Sequence, residues 1–205
     1  MQTALSEAAE RNKHPILEKL CSLLSSSTSI LEIGSGTGQH AIHFAHSLPH
    51  LLWQPTELPD KLPALSHLCR NHPSDNLAQP IMLDIDDDPW PTFQADAVFT
   101  ANTLHIVHWQ QVQRLFIQVD QLLPENGLFC IYGPFNHDGH YNSESNRQFD
   151  RWLKNRDPGS GIRDITDLSK LAESCDLLLK ECYTLPANNC LLVWHKHKPT
   201  HSKYK

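Results

Sequence analysis

Three glycines stand at alternate positions in Leu31-Glu32-Ile33-Gly34-Ser35-Gly36-Thr37-Gly38, between a short apolar run and a helical pattern. Lacking Cβ atoms, such residues let the backbone turn sharply and approach a ligand closely, and the amides that open the next helix favour a nucleotide-type ligand. Two carboxylates accompany the loop. Glu57 lies at the end of a second apolar run, about twenty residues on, where an acid can accept the protons of ribose hydroxyls. Asp84, in Leu83-Asp84-Ile85, ends a third. Each has a plainer reading. The loop serves equally as a strand-to-helix turn, Glu57 as the flank of a helix after Leu58-Pro59-Asp60, and Asp84 as part of the solvated stretch Asp84 to Asp88. Their joint occurrence at consecutive strand ends favours a ligand.

Two cofactor classes fit these residues. Read from Gly36, the segment Gly36-Thr37-Gly38-Gln39-His40-Ala41 satisfies the dinucleotide pattern G-x-G-x-x-A with Glu57 as ribose partner, which is the NAD-dependent oxidoreductase reading. Glu32 completes E-x-G-x-G-x-G, and this more closely resembles the first motif of class I S-adenosylmethionine-dependent methyltransferases. The resemblance implies S-adenosylmethionine as cofactor, with Glu57 on its ribose and Asp84, beside Ile85, near its adenine amino group. Glu32, Gly34, Gly36, Gly38 and Asn102 complete the implied contacts.

Ligands of open α/β sheets sit beyond the carboxyl ends of the strands, which makes Asn102, His105, His108, Tyr132 and Asn136 candidates for the chemistry. Methyl transfer from a sulfonium needs alignment and desolvation more than a base. If a base acts, His105 is the first choice, since imidazole titrates near neutral pH, and Tyr132 the second; packing or cofactor contact is the competing role of each. Arg11 and Asn12, with Lys13, and Arg163 are candidates to fold over a cofactor carboxylate or a substrate anion, with solvated surface charge as the rival reading. His40, His43 and His46 fall at three-residue intervals, but no carboxylate or cysteine completes a metal set, so exposed histidines and no metal are expected. An Asn/Asp-Pro-Pro-aromatic signature is absent after the fourth strand, where Asn102-Thr103-Leu104-His105 stands, and this argues against DNA adenine or protein glutamine as acceptor.

The elements that must position these residues follow from periodicity. Pro15 suits the first turn of a helix carrying Ile16, Leu17, Leu20, Leu23 and Leu24. Strands are expected at 30–33, 51–57, 81–85, 95–101 and 128–132, with helices after the glycine loop, at 62–69 and across Val112 to Leu122. Alternation of this kind predicts a mostly parallel sheet with helices on both faces. Helices at 143–155 and 167–175 then precede strands at 177–185 and 190–195, and the short turn Pro186-Ala187-Asn188-Asn189 permits only antiparallel pairing. The expected fold is therefore α/β, and the resemblance to class I methyltransferases implies their Rossmann-like fold with a seven-stranded, mostly parallel sheet, helices on both faces and a C-terminal antiparallel hairpin. Residues 1–198 read as one methyltransferase-like domain and 199–205 as a flexible tail.

Composition narrows the partners. The 205 residues carry a formal net charge of -6, with 17 Lys plus Arg against 23 Asp plus Glu, so nucleic acid is not expected. The six cysteines form no C-x-x-C pair and most sit among apolar neighbours, as reduced cytoplasmic cysteines do. Neither an export signal nor a membrane span is visible. Monomer and homodimer remain equally open.

A narrower resemblance covers nearly the whole chain. Ser6-Glu7-Ala8-Ala9-Glu10-Arg11-Asn12-Lys13 with Pro15-Ile16-Leu17 is similar to the start of the methyltransferase-like protein 26 family. Trp53-Gln54-Pro55, Asn102-Thr103-Leu104-His105-Ile106, Tyr132-Gly133-Pro134-Phe135, Asp157-Pro158, Gly161-Ile162-Arg163-Asp164 and Pro186-Ala187-Asn188-Asn189 follow in that family's order. Glu57-Leu58-Pro59-Asp60 replaces a more usual aspartate-containing form, and Val107-His108-Trp109 a more usual Ser-Pro-Trp. The second departure falls on the expected substrate side. The resemblance implies methyl transfer to a small-molecule acceptor; a non-catalytic S-adenosylmethionine-binding module is the alternative.

Overall fold

In the computed structural model, which describes residues 6–197, the first helix begins well before Pro15. Helix α1 (Glu7–Leu23) starts at Ser6, whose side chain accepts the Ala9 amide, with Glu7 and Glu10 in the first turn. Pro15 lies inside it, correcting the expectation that it would open the helix. An interior proline costs ~3 kcal/mol. That cost is offset because the face Ala9, Asn12, Ile16 and Leu20 runs on across it, and each buried aliphatic contributes ~1.5–3 kcal/mol.

Strand and helix then alternate as the periodicity requires: β1 (Ser29–Ile33), α2 (Gln39–Ser47), β2 (Leu52–Glu57), α3 (Leu62–Asn71), β3 (Ile81–Met82), β4 (Ala97–Ala101), α4 (Trp109–Leu122) and β5 (Leu128–Gly133). β3 is shorter than the expected 81–85, because β2 ends opposite Met82 and offers only one further bond, from the Leu83 amide to the Glu57 carbonyl. β4 starts at Ala97 instead of at residue 95.

A segment read as loop and helix holds a second small sheet, built from β6 (Phe135–His137), β7 (His140–Tyr141) and β8 (Arg163–Asp164). Its strands are too short for a period of two to register. Helix α5 (Glu144–Arg156) lies between them, and α6 (Ile165–Ser174) leads to β9 (Leu177–Leu185) and β10 (Asn189–Lys196).

The large sheet has the order β3-β2-β1-β4-β5-β10-β9. β1 to β5 are mutually parallel, while β10 lies antiparallel between β5 and β9, pairing Leu191 with Tyr132 on one side and with Tyr183 on the other. Side-chain alternation sends each strand into two cores. Ile30, Phe99, Cys130 and Val193 meet Ile16 and Leu20 of α1 and Phe44 of α2. Leu31, Val98, Phe129 and Leu192 meet Val112 and Phe116 of α4 and Leu168 of α6. Helices thus cover both faces, and the strand ends remain as the open edge.

Candidate functional site

The glycine loop is fixed to the sheet before any ligand is considered. Ser35 donates its amide to the Thr56 carbonyl at 2.9 Å, and the Thr56 hydroxyl donates to the Glu32 carbonyl at 2.8 Å. On the other side the Thr100 hydroxyl donates to the Ile33 carbonyl at 2.9 Å. Strands β2 and β4 therefore hold the bend from both flanks.

Its glycines do different work. Gly36 has φ 57°, and a Cβ there would meet nothing within 4 Å, so the bend faces open space. Gly38 also has positive φ, but a Cβ would lie 2.7 Å from Leu65 Cδ1. Gly38 thus lets α2 pack on α3 and does not face the cleft.

A cleft of about 350 Å³ lies beyond the strand ends, lined among others by Gly34, Gly36, Glu57, Asp84, Ile85 and Asn102. The sequence-derived set therefore converges in large part. Glu57 is buried: its Oε2 accepts the Gly36 amide at 2.6 Å and its Oε1 the Leu58 amide at 2.9 Å. The carboxylate is held rigid with acceptor capacity to spare, since two oxygens offer about four lone-pair directions. Asp84 accepts the Asp86 amide at 2.9 Å, and Asn102 holds φ 58° with its amide bonded to the Tyr132 carbonyl.

Other expected residues lie elsewhere. Glu32 is under the loop, accepting the Trp53 indole N–H at 2.8 Å. Burial pushes its carboxyl up to about 7, with hydrogen bonds from Trp53 and Ser35 opposing the rise and Glu57 adding to it. Arg11 is exposed and pairs with Glu7 at 3.3 Å, so it folds over no cleft. Asn12 is buried against α2, its Oδ1 2.6 Å from His40 Nε2. Tyr132 is buried too, its hydroxyl accepting from Asn189 at 2.9 Å with Asn12 as a further polar neighbour. It joins α1, β5 and β10 and is not a cleft residue. The exposed histidines expected on α2 are corrected in part: His40 is buried, stacked on Phe44, and burial pushes its pKa down to about 4.

Arg163 is engaged with the backbone behind the wall of the cleft. Its guanidinium donates to the carbonyls of Leu104 at 3.0 Å, Gly159 at 2.9 Å, and Val107. The Gly161 amide takes the His105 carbonyl and the Ser160 hydroxyl that of Ile106. Four consecutive carbonyls after β4 are thereby satisfied by one distant segment, and Ile106 and Val107 line the cleft. His108 adds a pairing with Asp157 at 2.9 Å. His105 itself is buried, its ring edge-on to Phe149 at 5.3 Å. Burial, then the Arg163 charge, push its pKa down to about 4, so the ring is neutral at physiological pH. Asn136 sits in β6, off the cleft lining, with Oδ1 buried and unbonded among the described residues.

Sequence reasoning missed Lys61, Thr103, Val107 and Gln111, which also line the cleft. They come from helix starts and a turn, where no periodicity marks a ligand-facing side chain; Thr103 and Val107 lie within motifs that the sequence singles out, but neither is assigned to a ligand there. Among the described residues, no group of His, Cys, Asp or Glu gathers as a metal site, and no helix is long and apolar enough to cross a membrane. Residues 199–205, read as a tail, lie outside the described residues.

A family model described as "Protein of unknown function (DUF938)" matches residues 3–196. Among solved structures, human N-acetylserotonin methyltransferase in complex with SAM superposes with a TM-score of 0.78 at 16% identity, over 94% of this chain and 53% of that one. An O-methyltransferase family protein from Burkholderia thailandensis gives 0.77 at 13% identity, over 94% and 58%. An O-methyltransferase family 2 protein from Planctomyces limnophilus, in complex with apigenin, gives 0.73 at 16%, over 90% and 61%. The chain thus spans little more than half the length of these structures, and at such identities the likeness is one of fold: α/β, of the Rossmann-like methyltransferase type.

Proposed function

The chain belongs to the DUF938 family, and we propose that it is an S-adenosylmethionine-dependent methyltransferase acting on a small-molecule acceptor. The observation that carries this reading is the pair Glu57 and Asp84, brought from consecutive strand ends into one cleft with the open bend at Gly36. A nucleoside suits that donor set, since a fixed carboxylate accepts ribose hydroxyls and a second, more exposed one accepts from an exocyclic amine. The volume lies in the ~300–1,000 Å³ range of small-molecule sites. Further support comes from the motifs that resemble those of the methyltransferase-like protein 26 family and from the fold relative that carries SAM.

The dinucleotide alternative is disfavoured by Gly38. In that pattern the second glycine lets backbone approach a pyrophosphate, whereas here its place is filled by Leu65 and Leu68.

When bound, the cofactor supplies an electrophilic methyl on a sulfonium. Glu57 would fix the ribose, Asp84 and Ile85 the adenine, and Gly34, Gly36 and Asn102 the remaining backbone contacts. Val107 and Ile106 would wall off water. His105, neutral and adjacent to that wall, would accept a hydrogen bond from the incoming nucleophile. Its low basicity makes alignment the larger part of the rate.

Calorimetry with S-adenosylhomocysteine tests the proposal. A saturable one-to-one isotherm is expected, and no heat at millimolar ligand would remove it. Binding without turnover on any small acceptor would leave the non-catalytic module instead.

A further inference from the structure

The glycine bend is also held from a side that the sheet does not provide. Gln39, the first residue of α2, is buried, and its side-chain amide is fully engaged. Its Oε1 accepts the Ser6 amide at 2.5 Å and the Thr37 hydroxyl at 2.7 Å, while its Nε2 donates to the Ser6 carbonyl at 3.2 Å and to Glu10 Oε1 at 2.5 Å. Two donors and two acceptor directions are all that such an amide has. The partners also fix its orientation, because turning the amide over would set N–H against N–H and oxygen against oxygen.

One end of this link is the start of α1. Ser6 caps that helix, and Gln39 takes both of its backbone groups as a neighbouring strand would. Glu10, in the first turn, is itself held by Lys13 at 2.5 Å. The other end is the bend. Gly36 lines the cleft and gives its amide to Glu57, and the next residue, Thr37, gives its hydroxyl to Gln39. The bend is thus clamped between a carboxylate from β2 and an amide tied to α1. Gly36 at φ 57° and Gly38 at φ 72° flank Thr37, and glycines leave a backbone free to sample other conformations. Such a segment keeps one shape only where it is tied, and the Thr37 hydroxyl is the tie between the two glycines.

Resting on the methyltransferase reading above, we propose that Gln39 is a positioning residue for the nucleoside: through Thr37 it holds the bend in its binding shape, and it makes the first turn of α1 part of the cofactor site. Gln39 does not itself line the cleft. Its effect falls on the freedom that the bend would otherwise lose when a ligand orders it, which is how preorganisation raises affinity without a new contact. Loosening the tie should therefore weaken binding more than it weakens the fold, since Ser6 and Thr37 are partly exposed and can hydrogen-bond to water instead. A second contact between the same two helices serves as the control. Asn12 Oδ1 meets His40 Nε2 at 2.6 Å, buried, and bonds to no residue of the bend.

The test records S-adenosylhomocysteine isotherms and thermal melts for wild type, Thr37→Val, Gln39→Ala, their combination and Asn12→Ala. Thr37→Val and Gln39→Ala should each weaken the nucleoside about 5-fold or more, and the double variant should fall within about 2-fold of Gln39→Ala, because one link is broken only once. Asn12→Ala should lower the melting temperature more than Thr37→Val does, yet bind within about 2-fold of wild type. Should Gln39→Ala fail to fold, Thr37→Val, which exchanges one hydroxyl for a methyl, decides alone. Unchanged affinity in Thr37→Val, multiplying losses in the double variant, or an equal loss in Asn12→Ala would overturn the positioning role and leave the cofactor reading intact. Absence of an isotherm in wild type would overturn the cofactor reading itself.

Discussion

Arg163 donates its Nε hydrogen to the Leu104 carbonyl at 3.0 Å, across 59 positions of chain, and this bond anchors the wall of the cleft from outside it. The same guanidinium also takes Val107 and Gly159, a fork that a single ammonium cannot reproduce. Arg163→Lys should therefore lower stability by about 1.5–3 kcal/mol, the range for hydrogen bonds from charged groups. Because Val107 and Ile106 would lose their backing, affinity for S-adenosylhomocysteine should fall as well, by about 10-fold. Thermal melts with and without the nucleoside separate the two effects; a variant that loses stability but keeps full affinity would deny the wall any part in binding.

Glu57 is predicted to act through its charge. Glu57→Gln can still accept the Gly36 amide through its carbonyl oxygen but turns its own N–H toward the Leu58 amide, so the bend should survive with stability lowered by about 1–3 kcal/mol, which thermal melts will show. What it loses is a charged acceptor for two hydroxyls, about 1.5–3 kcal/mol, or roughly 10- to 100-fold in nucleoside affinity. Asp84→Asn, on a more exposed carboxylate, should cost less. Calorimetry on both variants checks the order, and equal effects would contradict the buried position of Glu57.

Much of this site was legible because the apolar runs of a parallel sheet end near the cleft, although β3 itself stops at Met82, short of Asp84. Glu57 and Asp84 were found as the last residues of apolar runs, and Asn102 as the first residue after one. Glu32 was read as a ligand contact from a motif, yet its carboxyl turns back to Trp53, because alternation along β1 sends it to the face opposite Ile33. Arg163 illustrates what a sequence hides. Its charge suggests a ligand, but its partners are backbone carbonyls, Gly159 nearby and Leu104 and Val107 more than fifty positions away, which carry no side-chain signature. The small sheet was missed for a related reason: strands of two and three residues have no period to detect. His40 was taken for a surface residue because a histidine says nothing of burial, whereas its neighbours Ala41, Phe44 and Ala45 did mark the buried face of α2.

Gly36 and Gly38 should separate folding from binding. Both have positive φ, so alanine at either costs ~1–2 kcal/mol in backbone strain. At Gly38 the new methyl also meets Leu65 at 2.7 Å and Leu68 at 3.2 Å, and Leu65 is fully buried, adding ~1–3 kcal/mol of overpacking. At Gly36 the methyl enters open space, so the folded chain tolerates it and a ligand does not. Gly38→Ala should thus show the larger drop in urea midpoint, and Gly36→Ala the larger loss of nucleoside affinity per unit of stability. The reverse ranking would mean that the bend is not where the ligand sits.

The pH dependence of stability follows from three buried groups acting in two directions. Glu32 rises from 4.5 to about 7 on folding, so between those values the folded chain holds a proton that the unfolded chain has released, and stability falls as pH climbs through that window. His40 and His105 drop from 6.5 to about 4, so between those values the unfolded chain binds the extra protons, and stability falls as pH descends. Below 6.5 two histidines outweigh one carboxyl, and above 6.5 the rest of the histidine titration nearly cancels that of the carboxyl, so the three together climb from pH 5 and level off at about pH 7. Glu32→Gln keeps an acceptor for the Trp53 indole and removes the only descending limb among them. Urea unfolding at pH 5, 6.5 and 8 should show wild type climbing from 5 to 6.5 and nearly level from 6.5 to 8, and the variant still rising by about 1 kcal/mol across that second interval, with a gain on the order of a few kcal/mol over wild type at pH 8. A wild-type curve that rises from 6.5 to 8 in parallel with the variant would mean that Glu32 is already ionised in the fold.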